Sequence, residues 1–214
     1  MFIFKQVKLH LNNGKVNINC PVYRGMIKIG ISKEIVTTSA EPTELHISGV
    51  LNVNGSFTSG LGCKFIIEEN AVLDIGENSR FGRNCKILVT KKVYLANHIR
   101  MAFESQIMDS NFHYILDIEK ECVQNIERNI EINDYCWIGN RTTIMKGTKT
   151  PKQIIIASNS LLNKDYTLTI PPCSIMGEIP AKLIKTGYVR LHGEKEWEVD
   201  SFFKKMNSDV YYFK

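Results

Sequence analysis

Large apolar residues recur along this chain with a period of six. They fall into three registers, which are separated by a slip of two residues and by one longer interruption. The positions are Ile75, Phe81 and Ile87, then Leu95, Met101 and Ile107, and finally Ile132, Ile138, Ile144, Thr150, Ile156 and Leu162. Eleven of these twelve positions are apolar, whereas the hydrophobic fraction of 43% predicts about five.

A small residue often follows the apolar one, as at Gly76, Gly82, Ala96, Ala102, Gly139 and Ala157. An α-helix repeats its apolar residues every three or four positions, and a half-buried strand repeats them every second position. A period of six fits neither, and instead predicts a chain wound around a triangular prism, with one short strand and one corner per hexad. We expect the large residue to point inward and the small residue to permit the bend.

The alternative is an all-β sandwich whose strands happen to be six residues long. Sandwiches carry turn signals every 8–12 residues, but this chain has no glycine between Gly82 and Gly139. Earlier segments around Ile47, Val53 and Ile67 are interpreted as weaker coils of the same repeat. The pattern therefore favours an all-β fold of the parallel β-helix type.

The repeat divides the chain into three parts. Residues 1–46 are interpreted as an N-terminal cap or early strands, residues 47–185 as the β-helix, and residues 186–214 as a tail with a short helix. The one break, at residues 108–131, predicts a projecting loop. Loops of this length in compact domains are usually functional or disordered.

Composition narrows the class of protein. The net charge of +5 is mild and spread along 214 residues, which suits a small anionic ligand and not a nucleic acid. The six cysteines form no CxxC pair, which indicates reduced thiols, a cytoplasmic location and no zinc site. No apolar run approaches the roughly 20 residues of a membrane span.

Two later runs carry a resemblance to a known family. The first is INDYCWIGNRTTIMKGT from Ile132, and the second is IASNSLLNKD from Ile156, followed by IPPCSI and GEIPAKLIK. They resemble the signature of the hexapeptide-repeat acyltransferases, which include galactoside, maltose and antibiotic-modifying acetyltransferases and O-acetyltransferases of surface polysaccharides. The resemblance spans about residues 75–185. It implies a left-handed parallel β-helix and a homotrimer that binds acetyl-CoA between subunits, without a metal.

The candidate catalytic residue is His113, at the break in the repeat, where the family places its histidine. Acetyl transfer from a thioester requires the acceptor to lose a proton, and histidine is the side chain suited to accept one near neutral pH. A surface histidine is the alternative. Asp109 is the candidate that orients the imidazole, although an Asp in a turn explains it equally well. Glu104 is a weaker orienting candidate, and Cys136 is expected to be buried and inert.

The resemblance also implies a set of cofactor-binding residues, namely Trp137, Asn140, Ser158, Asn163, Lys164 and Lys182. Lysines suit the phosphates of the nucleotide as compact point charges. The pair Ser158-Asn159 stands where the family usually has Ala-Gly, so the contacts with the pantetheine arm are expected to differ in detail.

These expectations combine into an acetyl-CoA-dependent O-acetyltransferase that acts on a hydroxyl of a sugar in bacterial surface polysaccharide synthesis. An antibiotic-modifying acetyltransferase on the same scaffold and a non-catalytic β-helix scaffold are the alternatives. A γ-type carbonic anhydrase is disfavoured, because the five histidines lack the close pairing that its zinc site needs.

Overall fold

The chain winds into a prism with three parallel β-sheets as its faces. The structure is a computed structural model that describes residues 2–3, 7–31, 41–206 and 208–213. All strand pairs along the three faces are parallel up to the last strand, which pairs antiparallel at one end. The predicted parallel β-helix is confirmed, and the sandwich alternative is wrong.

The strands of the first half are β1 (Phe2–Ile3), β2 (Val7–Leu11), β3 (Lys15–Ile18), β4 (Ile27–Ile31), β5 (Thr43–Ile47), β6 (Val50–Val53), β7 (Phe57–Gly60), β8 (Lys64–Ile67), β9 (Val72–Ile75), β10 (Ser79–Phe81), β11 (Lys86–Val89) and β12 (Lys92–Leu95). Those of the second half are β13 (Arg100–Met101), β14 (Gln106–Met108), β15 (Leu116–Asp117), β16 (Cys122–Val123), β17 (Ile130–Ile132), β18 (Trp137–Ile138), β19 (Thr143–Met145), β20 (Ile154–Ile156), β21 (Leu161–Leu162), β22 (Ser174–Gly177) and β23 (Lys182–Thr186). One helix, α1 (Glu194–Lys205), follows.

Up to β14, every third strand joins the same face. Sheet A has the order β1-β4-β7-β10-β13-β18-β20-β22-β23, sheet B the order β2-β5-β8-β11-β14-β19-β21, and sheet C the order β17-β12-β9-β6-β3. Each turn up to β17 adds one strand to each face, and beyond β17 sheet C continues only as isolated bridges at Lys149 and Asp165. The corners lie between sheets A and B, between B and C, and between C and A.

The hexad residues form the core of the prism. All twelve predicted positions are buried, and none is more than 3% exposed. Like residues stack in columns because the sheets pair in register; for example, Ile107, Ile144 and Leu162 are successive partners in sheet B. Three aromatic rings, Phe57, Phe65 and Phe81, contact one another in the earlier coils, with centroids 5.5–6.4 Å apart.

The small residue of each hexad has a different role from the one expected. The bend is made two positions later by a non-glycine residue with left-handed backbone, as at Asn78, Asn84 and Glu104, whose φ values are 51°, 56° and 60°. The small residue instead allows successive coils to stack closely. A Cβ on Gly139 would lie 2.6 Å from the backbone nitrogen of Ser158.

The segments outside the main repeat extend this architecture. In the described part of residues 1–46, strands β1 to β4 and most of β5 pair within the same three sheets; residues 1, 4–6 and 32–40 of that segment lie outside the described residues. The predicted loop projects from the prism between β14 and β17, and its tip carries the antiparallel pair β15–β16.

The predicted helical tail is confirmed as α1, whose residues are all at least partly exposed. No helix within the described ranges has both the length and the apolar character required to cross a membrane.

The opposite faces of strand β19 provide a test of the core. Ile144 is buried in the prism, and its neighbour Met145 lies half-exposed on the outside. Ile144→Ala should lower the free energy of unfolding in urea by about 2–5 kcal/mol through the cavity it leaves, whereas Met145→Ala should cost about 1 kcal/mol or less. An equal or reversed cost would contradict the assignment of inward positions.

Candidate active site

The projecting loop leaves the prism at the corner between sheets B and C. Its two ends are held together by backbone hydrogen bonds, from the nitrogen of Asn111 to the oxygen of Ile126 at 3.0 Å and from that of Arg128 to the oxygen of Asp109 at 3.0 Å. A bridge between Ser110 and Glu127 adds to this pairing. The base of the loop is therefore an ordered extension of the prism.

Asp109 holds the start of the loop against the preceding coil. Its fully buried carboxylate accepts hydrogen bonds from the backbone nitrogens of Thr90, Lys91 and Lys92 at 2.8–2.9 Å and from the Thr90 hydroxyl at 3.0 Å. These amides lie at the corner over which the loop departs, so Asp109 provides their acceptor. No hydrogen bond joins Asp109 to His113 among the described residues.

His113 is exposed on the loop and lines a cavity of about 440 Å³. The same cavity is lined by Asp117 and Gln124 of the loop and by Lys146 of the prism. The imidazole thus faces open space between the loop and the prism edge, where a second molecule could approach it.

A second cavity, of about 460 Å³, lies on the other side of Lys146. Its lining includes the predicted residues Asn163 and Lys164. Lys146 lines both cavities, and its ammonium group donates a hydrogen bond to the backbone oxygen of Asn125 in the loop at 2.9 Å. The candidate base and the candidate phosphate ligand therefore lie on one edge of the prism.

The second cavity is strongly cationic. Its lining contains five basic residues, Lys91, Arg128, Lys146, Lys149 and Lys164, and two acidic ones, Glu131 and Asp165. Lys149 is neutralised by Glu131 at 2.9 Å. Burial, and then the charge of Arg128, lower the pKa of Lys146. Because positive charges here exceed negative ones, the cavity favours an anion.

The remaining cofactor candidates lie elsewhere on the prism. Asn140 and Ser158 are adjacent at the corner between sheets A and B, where the Ser158 hydroxyl donates a hydrogen bond to the Asn140 side-chain oxygen. Lys182 is paired with Gly177 at the same corner, one coil further on. Trp137 lies on the outer face of sheet A, 38% exposed, with the Arg190 guanidinium 5.0 Å from its ring centre.

The predicted cofactor residues thus occupy two edges of one chain, on either side of sheet B. Six residues separate Ser158 from Lys164, which corresponds to at most about 20 Å of extended chain. The structure groups Lys164 with His113, and groups Asn140 with Ser158.

The surroundings of the two other candidates, Glu104 and Cys136, indicate structural roles. Glu104 lies at the corner between sheets A and B and forms an ion pair with Arg141 at 2.7 Å. Cys136 is buried, and burial raises the pKa of its thiol to about 11, so that almost none of it is thiolate at neutral pH. Neither residue lines the His113 cavity.

Sequence reasoning missed Lys146, Lys91 and Arg128. Lys146 carried a usable signal, because it lies two positions after the buried Ile144, as Lys164 lies two after Leu162. The period that predicted the core therefore places the two lysines on adjacent coils of the same corner. Lys91 and Arg128 gave no such signal, since both lie where the repeat is interrupted.

Comparisons with known proteins find relatives in sequence and in fold. No protein-family model matches the chain. Over 165 residues it is 24% identical to WbbJ of Escherichia coli (strain K12), which is named as a lipopolysaccharide biosynthesis O-acetyl transferase; the match covers 73% of this chain and 81% of WbbJ.

Solved structures show the same fold. NeuO, described as a polySia specific acetyltransferase, superimposes with a TM-score of 0.59 at 16% identity, over 94% of this chain and 99% of NeuO. A mutant of AntD, an N-acyltransferase from Bacillus cereus, in complex with dTDP-4-amino-4,6-dideoxyglucose and coenzyme A, gives 0.53 at 12% identity, over 90% of this chain and 91% of AntD.

The chain is an acyltransferase with the hexapeptide-repeat fold. The left-handed parallel β-helix implied by the resemblance is thereby confirmed. Among the described residues, no group of three or more His, Cys, Asp or Glu side chains is arranged to hold a metal ion.

Removing the charge of Asp109 tests how the loop is held. In Asp109→Asn one oxygen is replaced by an NH₂ group, which faces backbone N–H donors and leaves at least one buried amide without an acceptor. We expect the free energy of unfolding to fall by about 2–3 kcal/mol. Hydrogen exchange of the backbone amides of residues 110–129 should become faster. Glu119→Gln, an exposed residue at the loop tip, should change neither quantity appreciably. Unaltered exchange in Asp109→Asn would show that the loop is held by other contacts.

Proposed function

We propose that this acyltransferase moves the acetyl group of acetyl-CoA to a hydroxyl of a sugar in bacterial surface polysaccharide synthesis, with His113 as general base. The observation that carries the proposal is that Lys146 lines both the His113 cavity and the cationic cavity, because a proton acceptor and a site for phosphate then lie along one edge of the prism. The name of WbbJ supports an O-acetyl transfer to a saccharide.

In the proposed reaction the imidazole of His113 accepts the proton of the sugar hydroxyl. The hydroxyl oxygen attacks the thioester carbonyl, the C–S bond then breaks, and the imidazolium returns the proton to the departing sulfur. The thiolate is a good leaving group, so the transfer needs no covalent enzyme intermediate. Asp109 acts as a positioning residue that holds the base of the loop, through its bonds to the preceding corner.

Acetyl-CoA is the proposed co-substrate, with no metal taking part. Its phosphates are assigned to Lys164, Asn163 and the neighbouring cations of the cationic cavity, and the coenzyme A in the AntD complex supports a CoA site on this fold. Trp137, Asn140, Ser158 and Lys182 are assigned to the pantetheine side. Among these, Lys182 keeps the role that the resemblance implies, near the nucleotide. Since all four residues lie on another edge, the proposal places them on a neighbouring protomer of a homotrimer.

The loop surface supports such an assembly. It exposes a group of large apolar side chains, each more than half exposed: Tyr114 (73%), Ile115 (67%), Leu116 (57%), Ile118 (80%) and Val123 (52%). Apolar patches of this kind mark interaction sites in soluble proteins. A neighbouring protomer that packed against the loop would cover them and enclose His113.

A cytoplasmic location is part of the proposal, and it is supported by the six cysteines, all of which are free thiols. An antibiotic-modifying acetyltransferase would share the same base and cofactor groove, but the similarity to WbbJ favours the polysaccharide role.

The first test replaces the base. His113→Ala should lower the rate of CoA release in the presence of an acceptor by about 10²–10⁴-fold, while acetyl-CoA affinity and folding stay unchanged. His10→Ala, at an exposed histidine in an early coil, is the control. A rate within a few-fold of wild type would place the base elsewhere.

The second test concerns the phosphates. Lys164→Ala should raise the Kd for CoA about three- to tenfold, and added salt should shrink the difference from wild type, since an exposed lysine–phosphate contact is screened. Lys152→Ala, an exposed lysine outside both cavities, should leave the Kd unchanged. Calorimetry that gives equal Kd values for Lys164→Ala and wild type would rule out this phosphate site.

A further inference from the structure

The outer face of sheet A carries two arginines side by side. Arg80 pairs in register with Arg100, and Arg100 pairs with Trp137 on the next strand. Neighbouring strands lie about 4.8 Å apart, so these side chains project from adjacent positions on one surface. Like charges directly opposite each other destabilise a sheet, so the pair costs stability unless something offsets it.

The Arg100 guanidinium donates hydrogen bonds to the backbone oxygens of Asn78 and Ile99 and to the Asn78 side-chain oxygen, but these partners carry no charge. No carboxylate lies within ion-pair distance of Arg80 or Arg100 in the described residues. On the other faces, lysines are offset by carboxylates. In sheet C, Lys149 forms an ion pair with Glu131 at 2.9 Å. In sheet B, Lys64 pairs in register with Lys86 and forms an ion pair with Glu41 at 3.3 Å.

The C-terminal segment brings a third cation to the same surface. Arg190 lies over the Trp137 ring and forms an ion pair with Glu196 at 3.5 Å. Burial, followed by the charges of Arg80 and Arg190, lowers the pKa of the Arg100 guanidinium to about 10. The charge of the Glu196 carboxylate acts on Arg100 in the opposite sense to its neighbouring cations and raises its pKa.

Aromatic rings line the surface beside these cations. Trp137 and Tyr135 are 38% and 39% exposed. The Tyr135 ring stacks on His98 at 4.3 Å between centroids and is met edge-on by His192 at 5.6 Å. Exposed flat rings beside guanidinium groups provide both an apolar surface for a sugar ring and charge-assisted donors for its acidic group.

We propose that Arg80 and Arg100 bind the carboxylate or phosphate of an acidic saccharide acceptor, whose sugar ring lies against Trp137 and Tyr135. This inference rests on the proposed function and names the substrate class for it. Trp137 is also assigned to the pantetheine side, which carries the acyl group. The row that starts at Trp137 and continues through Arg100 and Arg80 therefore leads from the acyl group toward the N-terminal coils. An extended acidic glycan bound along sheet A would then present one hydroxyl to the thioester.

The test measures binding of acidic oligosaccharides to the full-length protein by calorimetry. The probes are oligomers of N-acetylneuraminic acid, of glucuronic acid and of a sugar phosphate, each with a neutral counterpart made by methylation or dephosphorylation. The wild type should bind at least one acidic probe about tenfold or more tightly than its neutral counterpart. Which probe binds best distinguishes a carboxylate from a phosphate.

Three variants locate the site. Arg80→Gln, at an exposed position, should weaken the preferred acidic probe about three- to tenfold, and Arg100→Gln should weaken it at least as much. Lys86→Gln is the matched control, because Lys86 is an exposed cation on sheet B, away from the arginine row. It should change the affinity less than about twofold, and acetyl-CoA affinity should be unchanged in all three variants.

The inference is overturned if no acidic probe binds better than its neutral counterpart, or if folded Arg80→Gln binds it like the wild type. It is also overturned if Arg80→Gln weakens acetyl-CoA instead, because the arginines would then serve the cofactor. Failure of the wild type to bind acetyl-CoA at all would overturn the proposed function. Acetyl-CoA and the saccharides are titrated separately, so the two failures are distinguishable.

Discussion

The whole molecule depends on one constraint on each hexad. One large side chain is buried along the axis of the prism, and the next backbone position stacks against the neighbouring coil. Columns such as Ile107, Ile144 and Leu162 fix the register of every strand. A glycine at position 139, where a Cβ would lie 2.6 Å from the next coil, shows how closely the coils approach. Because the register is fixed, the sequence number of an outward residue determines its face and its edge.

The candidate site follows from one departure from that pattern. The chain leaves the prism at the corner after β14. There Asp109, with a buried carboxylate, follows the position that corresponds to the one before Val89, the buried apolar residue of the previous coil. An ionised side chain is tolerated there because four donors surround it. The loop that it holds carries His113 to the edge where Lys146 and Lys164 stand on successive coils.

The sequence predicted the core and the kind of fold well, because burial repeats with the hexad and is visible as a period. It singled out His113 and Lys164 through the break in the repeat and through the family resemblance, and their roles stay predictions. It did not predict that Asp109 bonds to backbone amides, since that depends on the path of the preceding corner. Nor did it predict the Arg80–Arg100 pair, because outward positions vary without a period and become neighbours only once the register is known.

The central claim is that His113 and Asn140 stand on different edges of one chain and meet only across a protomer interface. The most direct test co-expresses His113→Ala with Asn140→Trp under two different tags and purifies mixed trimers through both. Each variant alone should be nearly inactive. In a closed trimer one interface of the three would pair the two intact edges, so mixed trimers should regain about a third of wild-type activity. Activity no greater than that of the two parent variants would contradict the account.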